Sequence, residues 1–162
     1  MHMGIDAGQF LKGVIRPTLS CMGRIIDKRM ATEDSENLIL GTACAESQLT
    51  YLKQLNDGVA QGFYQMEPAT YADIVEYCER KGSDFKNKVI YCIYQEMHRE
   101  MPHGSQLMYN LRLQTVFARL HYWRVTEPIP AATPAQALYW KTYYNTALGK
   151  GTVQHYINSF PF

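Results

Sequence analysis

Glu46-Ser47 and, nineteen residues after Glu46, Gln65-Met66-Glu67-Pro68-Ala69-Thr70 bring together a candidate acid and the polar groups to work beside it. Glu46 follows Ala43-Cys44-Ala45, a small and apolar approach. A free glutamate titrates at about 4.3 and is almost fully ionised at pH 7. Burial disfavours the charged form, and so does the partial negative charge at a helix C-terminus. A carboxyl group placed this way can serve as a general acid, the requirement for protonating the leaving oxygen of a glycosidic bond. Gln65 and Thr70 carry an amide and a hydroxyl suited to holding a polar ligand beside it. At the other end of the chain, Tyr143-Tyr144-Asn145-Thr146-Ala147-Leu148-Gly149-Lys150-Gly151 offers a phenol and an amide next to each other.

Taken together, these segments resemble the catalytic region of the lytic transglycosylases, within the lysozyme-like superfamily. That family carries Glu-Ser and then a Gly-Leu-Met-Gln-x-x-Pro-x-Thr run. Here Gly62-Phe63-Tyr64-Gln65-Met66-Glu67-Pro68-Ala69-Thr70 matches at the Gly, Gln, Pro and Thr, while Phe63 and Tyr64 depart from Leu-Met. The family's Ala-Tyr-Asn-Ala-Gly-x-Gly run is similar to the segment at Tyr144 and Asn145, where the glycines arrive later. The likeness covers Leu38 to Ile74 well and the last thirty residues loosely. It implies peptidoglycan glycan strands as the ligand and Glu46 as general acid and base. Ser47, Tyr64, Gln65, Thr70, Tyr144 and Asn145 would then form the substrate groove, with Tyr144 hydrogen-bonded to Glu46. A transglycosylase works with one carboxyl group. A hydrolytic muramidase of the inverting type needs a second, roughly 6.5–9.5 Å away; Asp57 is the first candidate and Glu67 the next. A third alternative is a virion structural or interaction protein that keeps the fold without the activity. The arrangement also looks like phage virion proteins with a wall-degrading domain, so other virion proteins are expected partners.

The segments that carry these residues read as helical nearly throughout. Phe10, Leu11, Val14 and Ile15 recur at helical spacing, as do Leu19, Met22 and Ile26, and Pro17 should break or kink that region into two pieces. Thr32 is a good N-cap, with Glu33 and Asp34 in the first turn facing the helix dipole. The run from Leu38 through Ala45 is apolar almost all round, so its helix should be central and deliver Glu46 at its end. Ser47 to Gln65 is the least helical stretch. Asn56-Asp57-Gly58 is a turn signal, and Thr50-Tyr51-Leu52 and Gly62-Phe63-Tyr64 could be short strands of a small hairpin or irregular lobe. Pro68 opens a helix to about Arg80, with Gly82 as its stop. Ser83 or Asp84 should cap another through about Met97. A long amphipathic helix is expected from about Ser105 to Val125, with Leu107, Met108, Leu111, Phe117, Leu120 and Trp123 inward and Arg112 and Arg119 elsewhere on the surface. Thr133-Pro134-Ala135-Gln136 combines an N-cap, Pro at the first helical position and a capping-box Gln. Gly149 or Gly151 should end that helix, and Val153 to Phe160 form a last short one. The expected fold is mainly α, a single lysozyme-like domain over residues 1–162.

Composition narrows the alternatives. Sixteen basic residues against fifteen acidic give a net charge of +1, and no Lys/Arg block suggests nucleic acid as a partner. No stretch approaches the roughly 20 apolar residues of a membrane span, so no membrane insertion is expected. Met1 to Pro17 lacks the continuous apolar region of a secretory signal. Synthesis in the cytoplasm, and delivery to the wall by a phage particle or at lysis, is the corresponding expectation. Cys21, Cys44, Cys78 and Cys92 are widely spaced and read as buried free thiols of a reducing compartment. His98 and His103, with Pro102 between them, are poorly placed to share a metal, and neither a metal nor a cofactor is expected.

Overall fold

A computed structural model describes residues 4–162 of the chain. The first three residues of the N-terminal stretch lie outside them. Helix α1 (Ala7–Phe10) runs through a π-helical turn, Leu11–Ile15, into α2 (Arg16–Ile25). Pro17 therefore does not break the region. Proline cannot donate its own hydrogen bond, and its ring crowds the carbonyl one turn earlier. The wider turn before it, closed by the Arg16 N–H on the Leu11 carbonyl, carries the helix past that point.

Helix α3 (Glu33–Ser47) is the centre of the molecule. Thr32 caps it through a reciprocal pair with Ser35, and Glu33, Asp34 and Glu36 occupy its first turn. Its residues from Leu38 to Ala45 are buried all round. A β-carbon added at Gly41 would lie 2.0 Å from the Tyr156 hydroxyl, so glycine here lets the last helix approach closely. Helices α4 (Pro68–Lys81) and α5 (Ser83–Tyr94) follow an irregular segment. Gly82 separates them and is itself the N-cap of α5; neither Ser83 nor Asp84 caps it with a side chain. Helix α5 ends at Tyr94, before Met97, because Gln95 adopts the left-handed conformation.

The expected long helix starts later than its sequence suggests. A 3₁₀ turn, Gly104–Met108, precedes α6 (Leu111–Trp123), which Asn110 caps by accepting from the Leu113 N–H. Helix α6 is not amphipathic in the expected sense, since every residue from Leu113 to Leu120 is buried. Arg119 is among them, not on the surface. It donates to the backbone carbonyls of Met30 and Arg29 and stacks on Trp123. Arg112 is half-buried and donates to the Cys92 carbonyl.

Helix α7 (Thr133–Trp140) has Ala132, not Thr133, as its N-cap. Gln136 forms no capping box; its amide donates instead to the carbonyls of Asp34 and Pro130, tying α7 to α3. A second π turn, Lys141–Asn145, continues α7 and ends at Thr146, whose φ is +66°, before either Gly149 or Gly151 is reached. Helix α8 (Val153–Ser159) closes the chain, one residue short of Phe160.

Two apolar clusters fill this mainly α-helical single domain. One joins α1, α3, α7 and α8 around Leu38, Ile39, Trp140 and Tyr156. The other joins α2, α4, α5 and α6 around Met22, Ile74, Ile93 and Phe117. Helix α6 serves both, giving Ala118 and Tyr122 to the first and Val116 and Leu120 to the second. A bond of 2.8 Å between Thr42 Oγ1 and the Tyr122 hydroxyl pins α3 to α6. All four cysteines are free and buried, and Cys21 and Cys92 bring their sulfurs to 3.0 Å.

Thr50–Leu52 and Gly62–Tyr64 do not form strands, and no β-strand occurs among the described residues. Two isolated antiparallel bridges, Lys53 with Gln61 and Gln61 with Met66, shape an irregular lobe instead. The run is too short and too interrupted by left-handed residues to sustain a ladder. Its tip is a tight turn with Asn56 and Asp57 both at positive φ, closed by the Gly58 N–H on the Leu55 carbonyl.

Candidate active site

Glu46 is the penultimate residue of α3, and the chain turns sharply just beyond it. Gln48 and Leu49 both have φ of +53°. Ser47 holds that turn: its hydroxyl donates to the Ala43 carbonyl and accepts from the Leu49 N–H. The lobe then returns through Gly62, where a β-carbon would lie 2.5 Å from the Leu107 carbonyl oxygen and φ is +79°. Phe63 N–H donates to the buried Gln114 side chain, and the Tyr64 hydroxyl pairs with Thr115. The lobe is thereby fixed to α6, with Gln65 at its end and Thr70 in the first turn of α4.

Between α3, the lobe and the C-terminal turn lies an open groove of about 1140 Å³. Glu46, Ser47, Gln65, Glu67, Thr70, Tyr144 and Asn145 all line it. These seven positions, drawn from three distant segments, converge on one surface. Two expected positions do not join them. Tyr64 is only 1% exposed, with its ring in the core, so its side chain does not face a ligand. Asp57 sits at the lobe tip and is not part of the lining, although its neighbours Asn56 and Gly58 are. Ser47 is buried at 1% exposure, and its hydroxyl is taken up by the helix end.

Glu46 is half-buried, and burial pushes its carboxyl up to about 7. Two groups pull the other way. Trp140 Nε1–H donates to Glu46 Oε1 at 3.2 Å, and the Lys141 ammonium acts at longer range. Desolvation outweighs both, so near neutral pH the group is divided between acid and carboxylate. Tyr144 does not bond Glu46 as expected: its hydroxyl donates to the Tyr64 carbonyl at 2.6 Å. Burial and the Glu46 charge raise that phenol well above its usual range, which keeps it a neutral donor. His155 Nε2 donates to the carbonyl of Ala45 at 2.8 Å, so α8 holds the backbone next to the acid. His121, also in the groove, is pushed down to about 4 by burial and by Arg124, and accepts at Nδ1 from the Arg124 guanidinium.

Sequence reasoning missed Trp140, Lys141, His121 and His155. Trp140 and Tyr144 are four apart, so they share a helical face, and a Tyr144 placed in the cleft would have brought Trp140 with it. Nothing comparable marks His155, whose partner lies 110 residues away. Among the described residues no group of three or more His, Cys, Asp or Glu side chains is arranged to hold a metal ion, and no helix is long and apolar enough to cross a membrane. No protein-family model, no curated protein and no solved structure matches this chain.

Proposed function

We propose that this chain cleaves the glycosidic bond between N-acetylmuramic acid and N-acetylglucosamine in peptidoglycan, as a lytic transglycosylase. The observation that carries the proposal is a single half-buried carboxyl, Glu46, pushed up to about 7 and held by Trp140 within a large polar groove. The side chains around it suit a sugar polymer. Gln48, Gln54, Gln65 and Asn145 offer amides, and Tyr51 and Tyr143 offer aromatic surface with a polar tip.

In this mechanism protonated Glu46 gives its proton to the bridging oxygen as the bond to the muramoyl C1 breaks. The N-acetylglucosamine unit leaves with a free 4-hydroxyl. The Glu46 carboxylate then takes the proton of the muramoyl 6-hydroxyl, and that oxygen closes on C1 to give a 1,6-anhydro ring. The acid is regenerated and no water is consumed. One carboxyl group with a pKa near 7 serves both steps, because its two forms are then close in energy.

Glu67 also lines the groove, which favours a hydrolytic muramidase as the second possibility. There Glu67 would activate a water for attack at C1. Delivery of the chain to the wall by a phage particle or at lysis belongs to the same proposal. Purified peptidoglycan digested with the chain and analysed by mass separates the two chemistries. An anhydro product one water lighter than the hydrolytic one is the expected result. A product carrying the extra water assigns the muramidase, and undigested glycan refutes both.

A further inference from the structure

The π turn Lys141–Asn145 ends on a loop, Thr146–Thr152, that lines the groove. Lys141 sits under it. Its ammonium donates to Asn145 Oδ1 at 2.7 Å and to the Gly149 carbonyl at 3.0 Å. The loop is closely fitted to these partners. A β-carbon at Gly149 would lie 2.5 Å from Asn145 Oδ1, and one at Gly151 would lie 2.5 Å from the Trp140 ring. Loop, amide and the tryptophan that holds Glu46 therefore form one packed unit. Leu148 at its crest is 98% exposed, so its side chain does not anchor the loop.

We propose that Lys141 is a positioning residue, which clamps the Thr146–Thr152 loop and turns Asn145 into a hydrogen-bond donor toward the ligand. A lysine ammonium has three donors and no acceptor, so the amide oxygen of Asn145 must face it. The Asn145 NH₂ is left pointing away from the ammonium. It lies near Gly151, 3.0 Å from where a β-carbon would be, and both residues line the groove. The partner selected at this position is a hydrogen-bond acceptor on the sugar chain, such as an acetamido carbonyl oxygen. The ligand part of this inference rests on the proposed sugar groove; the clamp itself does not.

The test uses the full chain with Lys141→Met and Lys141→Arg. The first readout is hydrogen exchange of residues 146–152 without ligand. Exchange in Lys141→Met should rise by about tenfold, as expected for losing charge-assisted bonds to two partners, while Lys141→Arg, which still donates, should stay close to the unaltered chain. The second readout is binding of N-acetylglucosamine oligomers and their de-acetylated counterparts in a Glu46→Gln background, where no cleavage interferes. Lys141→Met should weaken binding of the acetylated oligomer about tenfold, Lys141→Arg should restore most of it, and the de-acetylated oligomer should bind weakly throughout. Loop exchange that does not depend on residue 141 overturns the clamp even if the chain digests peptidoglycan. Loop exchange that does depend on it, in a chain that neither binds nor cleaves glycan, upholds the clamp and overturns the sugar groove. Equal binding of both oligomers overturns the acceptor selection.

Discussion

Replacing Glu46 with glutamine should stabilise the folded chain, and only above the pH at which a free glutamate ionises. The side chain keeps its shape, and its carbonyl oxygen still accepts from Trp140 Nε1. What is lost is the ionised form in a partly dry site. The folded carboxyl is pushed up from 4.5 to about 7 by burial. A group whose folded pKa lies above its unfolded value contributes fully below the unfolded value, and that contribution is lost as pH rises to the folded one. The window here is pH 4.5 to about 7. At about 1.4 kcal/mol per tenfold change in proton affinity, the loss reaches roughly 3 kcal/mol at pH 8. For a domain of this size, that corresponds to a melting temperature roughly 6–12 °C higher for Glu46→Gln. His121, pushed down to about 4, works in the opposite direction: its contribution is lost as pH falls from 6.5 toward 4. Because both proteins share His121, it cancels in their difference. Thermal melts of the two proteins from pH 4 to 8 provide the assay. Curves that coincide near pH 4 and diverge through pH 7 are expected. A constant offset, or a glutamine variant less stable at pH 8, would refute the burial of an acid at this position.

Three further outcomes follow from the same contacts. Trp140→Phe removes the donor that lowers the Glu46 pKa, so the alkaline fall in activity on peptidoglycan should move to higher pH, with a rate loss of about tenfold from a less well-oriented acid; an unmoved pH profile would show that the contact has no hold on the carboxyl. Arg119→Met should cost about 2–4 kcal/mol in urea unfolding, because the carbonyls of Met30 and Arg29 are left buried without a donor; a loss under 1 kcal/mol would place water at those carbonyls. Gly41→Ala should destabilise by about 1–3 kcal/mol in the same assay despite alanine's better helix propensity, since its methyl group meets the Tyr156 ring; a gain in stability would show that α8 can move away freely.

Much of the site could be read from the sequence where the cause is local. Thr32 caps α3 by its own side-chain chemistry, and the apolar run to Ala45 announces a buried helix that delivers Glu46 near its end. Asn56-Asp57-Gly58 forms its turn for equally local reasons. Most of the failures are tertiary. Arg119 looked like a surface charge because its partners are backbone carbonyls some 90 residues away, which carry no side-chain signature. Gln136 looked like a capping residue because the Asp34 carbonyl that claims it lies on another helix. Tyr64 aligned with a groove position, yet a partner at Thr115 draws its ring into the core. Pro17 is a local exception, since the π turn before it absorbs proline's usual effect. Trp140 and Glu46 are 94 residues apart, and only the four-residue spacing from Tyr144 links Trp140 to the cleft.

In the proposed mechanism Glu46 cleaves a glycosidic bond and then closes the ring itself. Mass analysis of a purified peptidoglycan digest tests it most directly, with the unaltered chain and Glu46→Gln run side by side. Anhydro-muramoyl fragments from the unaltered chain, and none from a folded Glu46→Gln, are the predicted result. The same fragments appearing at the same rate from Glu46→Gln would contradict it.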